Sequence, residues 1–97
     1  MAALMSFQKK FLKGRAHGLK PVVFLGQKGL TDSVIDSIHQ ALDTHELIKL
    51  KVQDGCDIDR KVIADQLSKV THAELVQVLG RTFLLYRKAE ETKIELP

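Results

Sequence analysis

Two apolar segments with one amphipathic stretch between them constrain this chain most. "PVVFL", residues 21–25, is a short continuous apolar run opened by proline, which suits the first residue of a buried strand. "LIKLKVQ", residues 47–53, alternates instead, with Ile48, Leu50 and Val52 on one side and Lys49, Lys51 and Gln53 on the other, the pattern of a half-buried strand. Between them Thr31 is a good N-cap, Asp32 favours a first turn, and Val34, Ile35, Ile38, Ala41 and Leu42 make one helical face. A strand-helix-strand unit favours parallel neighbours in one sheet.

The flanks complete the pattern. Leu4, Phe7, Phe11 and Leu12 recur at helical spacing, so residues about 5–16 read as an amphipathic helix that docks through Phe7 and Phe11 and is closed by Gly18 and Pro21. After the second strand "DGCDID" breaks the chain, Asp57 or Asp59 supplies the next cap, and Val62, Ile63, Leu67 and Val70 form another stripe. "ELVQVL" and "TFLLYR" flank Gly80 and Arg81, and glycine first in a two-residue connection predicts a hairpin with a type II′ turn. The predicted class is therefore α/β, a single domain with the order α-β-α-β-α-β-β and a four-stranded mixed sheet carrying flanking helices on at least one face. The 97 residues suffice for one modest core. That core is expected over about residues 5–88, with a polar tail, 89–97, that frays.

Charge is unevenly placed. The net +3 conceals an amino-terminal third, residues 1–31, that holds Lys9, Lys10, Lys13, Arg15, Lys20 and Lys28 and no Asp or Glu. Cations concentrated in this way are the footprint of a protein that meets nucleic acid or another anionic surface, although solvated basic helices are also common. No stretch approaches the length of a membrane span and the start is too short for a signal-peptide apolar region, so the expected location is the cytoplasm.

Motifs argue against an enzyme. "GQKG" lacks the spacing of a nucleotide-hydrolysing loop and the third glycine of a dinucleotide fingerprint. His17, His39, His45 and His72 have no metal-ligand spacing and read as surface histidines, and the lone Cys56 has no partner for a disulfide or a metal pair. Ser33, Asp36 and His39 are only helical neighbours, a poor way to orient a nucleophile. Asp54, Asp57 and Asp59 lack the twelfth-position glutamate of a calcium loop. Neither a cofactor, a metal nor a small-molecule substrate is expected.

What remains is the loop "GQKG", Gly26, Gln27, Lys28 and Gly29, between a strand and a helix start. Glycine there serves either a turn that needs positive φ or a loop whose bare backbone a sugar-phosphate chain can approach. A helix start adds N–H groups, and Lys28 a flexible cation. KH domains clamp a nucleic-acid backbone with such a GxxG loop, although theirs joins two helices. Lys9, Lys10, Lys13 and Lys20 can extend the same basic surface.

"LKPVVFLGQKGLT", "HELIKLKV" and "GRTFLLYR", in this order, resemble the CRM domain, the chloroplast RNA splicing and ribosome maturation module, in its free-standing bacterial YhbY-type form. The likeness covers about residues 5–88. It implies an RNA-binding protein, associated in bacteria with precursors of the large ribosomal subunit. Its GxxG loop falls on Gly26–Gly29, and its closing elements on Gly80, Arg81, Leu85, Tyr86 and Arg87. The expected RNA contacts are thus Gly26, Gln27, Lys28, Gly29, Lys9, Lys10, Lys13, Lys20, Arg81 and Arg87, made by a monomer to ribosomal RNA, with no membrane partner. Each has a plainer reading too. Gly80 can serve the hairpin alone, Leu85 the core, Tyr86 packing, and the two arginines acidic partners. The competing function is a protein-interaction module that docks on a ribosomal protein or other partner through an exposed helix face.

Overall fold

The computed structural model describes residues 4–53, 59–90 and 94–97. Cys56, Asp54 and Asp57 lie outside the described residues. Helix α1 (Ser6–Arg15) and one 3-10 turn (Ala16–Gly18) lead into strand β1 (Pro21–Leu25). Helix α2 (Asp32–His45), strand β2 (Leu47–Val52), helix α3 (Arg60–Thr71) and the strands β3 (Glu74–Leu79) and β4 (Thr82–Tyr86) follow. The strands form one sheet in the order β1-β2-β4-β3. It is mixed, as expected: β1 is parallel to β2, and β4 is antiparallel to both β2 and β3.

Local chemistry sets the boundaries. Thr31 Oγ1 accepts the Val34 N–H at 3.2 Å and starts α2, and Asp59 Oδ1 accepts the Lys61 N–H at 2.7 Å and starts α3. Gly80 has φ +60° while Arg81 stays at negative φ, which makes the hairpin turn type II′ rather than I′. Arg60 Nη1 donates to the Gly80 carbonyl at 2.6 Å and ties that turn to the start of α3.

Both faces of the sheet are covered, unequally. On one, Ile38 and Leu42 of α2 and Ile63 and Leu67 of α3 close over Val23, Leu25, Ile48, Leu50, Phe83 and Leu85. On the other, Leu12 and Ala16 pack on Leu47, Val76, Leu84 and Tyr86, joined by Ile94. Because alternate strand residues point to opposite faces, Phe83 to Tyr86 of β4 are all buried: it is an inner strand with helix on both sides.

Four expectations need correction. β1 is an edge strand covered on one face only, so Val23 and Leu25 are buried while Val22 and Phe24 stay exposed. The docked residues are Leu12 of α1 and Ala16, which opens the 3-10 turn after it, with Phe11 at their margin, whereas Phe7 is 53% exposed. The buried stripe of α3 runs through Ile63, Leu67 and Thr71, leaving Val62 and Val70 outside. The tail is not wholly polar and is held at two points, since Ile94 is buried and the Glu46 carboxylate accepts the N–H groups of Ala89 (2.9 Å) and Ile94 (2.8 Å). Glu46 itself is fully buried at the end of α2 with φ +63°, a conformation costly for a side chain with a Cβ. Its two backbone partners in the tail offset that cost.

Candidate nucleic-acid interface

The Gly26–Gly29 loop leaves the end of β1, and the chain reverses there by a four-residue turn in which the Gly29 N–H donates to the Gly26 carbonyl at 3.1 Å. Gly29 has φ +67° and is buried, so the turn itself demands glycine at this position. Gly26 is different. Its φ is not positive, and among the described residues a Cβ built on it would meet only the Gln53 side chain, at an ordinary 3.7 Å. None of the described residues requires glycine at Gly26, which leaves room for a ligand to approach the backbone there. Gln27 and Lys28 form the exposed tip, and among the described residues none accepts a hydrogen bond from either N–H.

The start of α2 contributes less than the sequence suggests. Thr31 caps the Val34 N–H, the Thr31 N–H itself donates to the Gly29 carbonyl at 3.1 Å, and Asp32 places a carboxylate in the first turn. The positive end of the helix is therefore already partly answered, and the loop's own amides and Lys28 are what it offers an anion.

Strand register carries the surface onward from the loop. Gln53 N–H donates to the Leu25 carbonyl and Val52 N–H to the Arg81 carbonyl, each at 2.8 Å, so the loop, the end of β2 and the hairpin turn share one end of the sheet. There a shallow depression is lined by Phe24, Lys51, Val52, Gln53 and Arg81. Cross-strand partners point to the same face. Phe24 thus stands beside Lys51, Lys51 beside Thr82 and Thr82 beside Leu79. The next row toward α1 holds Lys49, Leu84 and Gln77, and with Lys13 and His17 it lines a second depression. Among the described residues no carboxylate lines either depression.

The ten residues named from the sequence separate accordingly. Gly26, Gln27, Lys28, Gly29 and Arg81 gather at one end of the sheet, and Lys13 looks onto the adjoining face. Lys9, four residues earlier, lies on the same side of α1, whereas Lys10 is turned to solvent. Lys20 sits at the opposite end of β1, where it lines another pocket with Arg15, Val22 and His45. Arg87 is committed inside the protein: Nη1 donates to His39 Nδ1 (2.9 Å) and the Thr71 carbonyl (2.8 Å), and Nη2 to Asp43 Oδ1 (2.9 Å). It clamps β4 to α2 and α3, which is the acidic-partner reading of that residue, and makes His39 a structural rather than a surface histidine. Tyr86 is buried, and burial, followed by the nearby Glu46 carboxylate, pushes its hydroxyl above its usual pKa of 10.0.

Sequence reasoning missed Lys49, Lys51 and Phe24 as surface residues of this site. The signal for the lysines was the alternation of β2, which placed them on the face opposite the core; for Phe24 there was none, because a continuous apolar run does not reveal a one-sided edge strand. Among the described residues no helix is long and apolar enough to cross a membrane, and no group of three or more His, Cys, Asp or Glu side chains is placed to hold a metal ion.

These features define a small α/β domain with a glycine loop beside a basic, partly open sheet face. Residues 4–87 match the CRS1 / YhbY (CRM) domain, and the chain belongs to that family. It is 46% identical over 97 residues to a Haemophilus influenzae protein named "RNA-binding protein", covering all of this chain and 98% of that one. It is 42% identical over 91 residues to "Probable RNA-binding protein YqeI" of Bacillus subtilis, covering 93% and 95% of the two chains. The solution structure of a Staphylococcus aureus protein superposes with a TM-score of 0.80 at 38% identity, over 97% of this chain and 99% of that one.

Proposed function

We propose that this chain binds RNA, and that it does so as an assembly factor on ribosomal RNA in precursors of the large subunit. The observation that carries the RNA reading is the loop: exposed amides at Gln27 and Lys28, a Gly26 that no described neighbour requires to be glycine, and at its foot a basic depression with no carboxylate among its described lining residues. The names of its relatives support the same ligand, and the resemblance to the YhbY-type module supports the ribosomal setting. In this reading Gly26–Gly29 hold phosphate, and Lys9, Lys13, Lys49, Lys51 and Arg81 neutralise the strand beside it, with Lys10 and Lys20 at the margins.

Lys28→Glu tests it. The side chain is exposed, so the thermal midpoint should move little while affinity for RNA in a fluorescence titration falls clearly. A folded variant that binds as tightly as wild type removes the loop from the interface. Crosslinking in cells, followed by sequencing of the attached RNA, tests the ribosomal assignment: the reads should concentrate in large-subunit precursor RNA, and reads spread over unrelated transcripts would reject it.

A protein-docking reading has one observation in its favour, the exposed Val62 and Val70 on the outer side of α3. It predicts association with ribosomal particles that survives complete RNA digestion, which the RNA reading forbids.

A further inference from the structure

The half of the sheet that α1 leaves open combines two chemistries that a duplex backbone cannot use together. Phe24 is 48% exposed although it lies in an apolar strand, and its cross-strand partner is Lys51. Lys49 follows two residues away on the same strand face, and Lys13 and His17 border it from α1 and the turn after it. The usual fate of such a phenylalanine is to be covered, yet the helix on this face packs at the other end, over Leu47, Val76 and Tyr86. The flat aromatic face therefore remains available beside cations, and among the described residues no carboxylate lines the two depressions there.

An acidic protein segment would match the charge but has no particular use for an isolated ring. A duplex would match the charge and keep its bases stacked inside. Only an unpaired strand offers phosphates to the lysines and a base to the ring at once, and stacking of this kind tolerates any base. We infer that the open sheet face binds a single-stranded RNA segment, with a base stacked on Phe24 and the flanking phosphates on Lys49 and Lys51, continuing from the Gly26–Gly29 loop. This rests on the RNA-binding reading above and adds to it the strandedness of the ligand and a contact to a base.

The full chain should be titrated with a short unpaired oligoribonucleotide carrying an adenine analogue whose fluorescence drops on stacking, and with a blunt duplex of matched length and composition. Wild type should quench the analogue in the unpaired probe. Phe24→Ala should lower affinity for that probe on the order of fivefold or more and abolish the quench, while duplex affinity stays within about twofold. Phe24→Tyr should restore both signals. Because Phe24 lies outside either core, these variants should melt close to wild type; Lys51→Glu, in the same row, gives a second variant with the same expected loss. Unpaired-probe binding unchanged in Phe24→Ala, or equal loss on both probes, overturns the inference. If Lys28→Glu still weakens both probes in that case, the loop reading stands alone. If wild type binds neither probe, both readings fall and the face is left to an acidic protein.

Discussion

At the scale of single residues, the two glycines of the loop have different reasons to be glycine, and substitution should separate them. Gly29→Ala forces a Cβ into φ +67° and should cost stability by about 1–2 kcal/mol, seen as a lower midpoint in urea. Gly26→Ala meets no clash among the described residues and reduces the freedom of the unfolded chain, so its midpoint should hold or rise slightly, while RNA affinity falls because the backbone is no longer bare. A Gly26→Ala protein with unchanged affinity would show that nothing approaches that position. Tyr86 makes a second prediction. Its hydroxyl titrates higher in the folded than in the unfolded state, so the folded chain holds the proton more tightly, and stability should be intact below about pH 10 and decline as pH rises above it. Tyr86→Phe should lessen that alkaline decline in melts taken across the range; an unaltered decline would place its cause elsewhere.

Among the elements, α1 shows how a correct helix can be given the wrong face. The sequence offers two large aromatics, Phe7 and Phe11, yet the pair that reaches the sheet is Leu12 and Ala16, since a small residue at one end lets the helix approach closely and Leu12 fills the gap. Phe11 instead lies at the margin with the Arg15 guanidinium 6.0 Å from its ring centre. Leu12→Ala should therefore destabilise the fold by roughly 2–5 kcal/mol, whereas Phe7→Ala should change it by no more than about 0.5 kcal/mol. Equal effects of the two in thermal melts would contradict the packing of this helix. Its placement also bears on function, because docking through Leu12 is what turns Lys13 onto the open sheet and Lys10 away from it.

For the whole molecule, the distribution of charge predicts how binding responds to salt. If about four to six cations neutralise phosphates, log affinity should fall against log salt with a slope of roughly −3 to −5. Association that is nearly independent of salt would mean that phosphate contacts supply little of the affinity. The cations involved are not simply those of the amino-terminal third. Lys20 and Arg15 border a different pocket, and Lys49 and Lys51 from the middle of the chain take their place beside Lys13.

The elements, their order and the mixed sheet can be read along the chain, because apolar period, capping residues and a glycine-led hairpin are local properties that act before any long-range contact forms. The Gly26–Gly29 loop is legible in the same way. Which residues share a surface is a matter of tertiary packing. That β1 is an edge, that α1 covers one end of the sheet, and that Arg87 is held by His39, Thr71 and Asp43 all depend on segments distant in the chain meeting in space. Such meetings settle which side chains stay in water. An apolar run reads alike whether one of its faces is covered or both, and an arginine reads alike whether its partner is a phosphate or a carboxylate of the same protein.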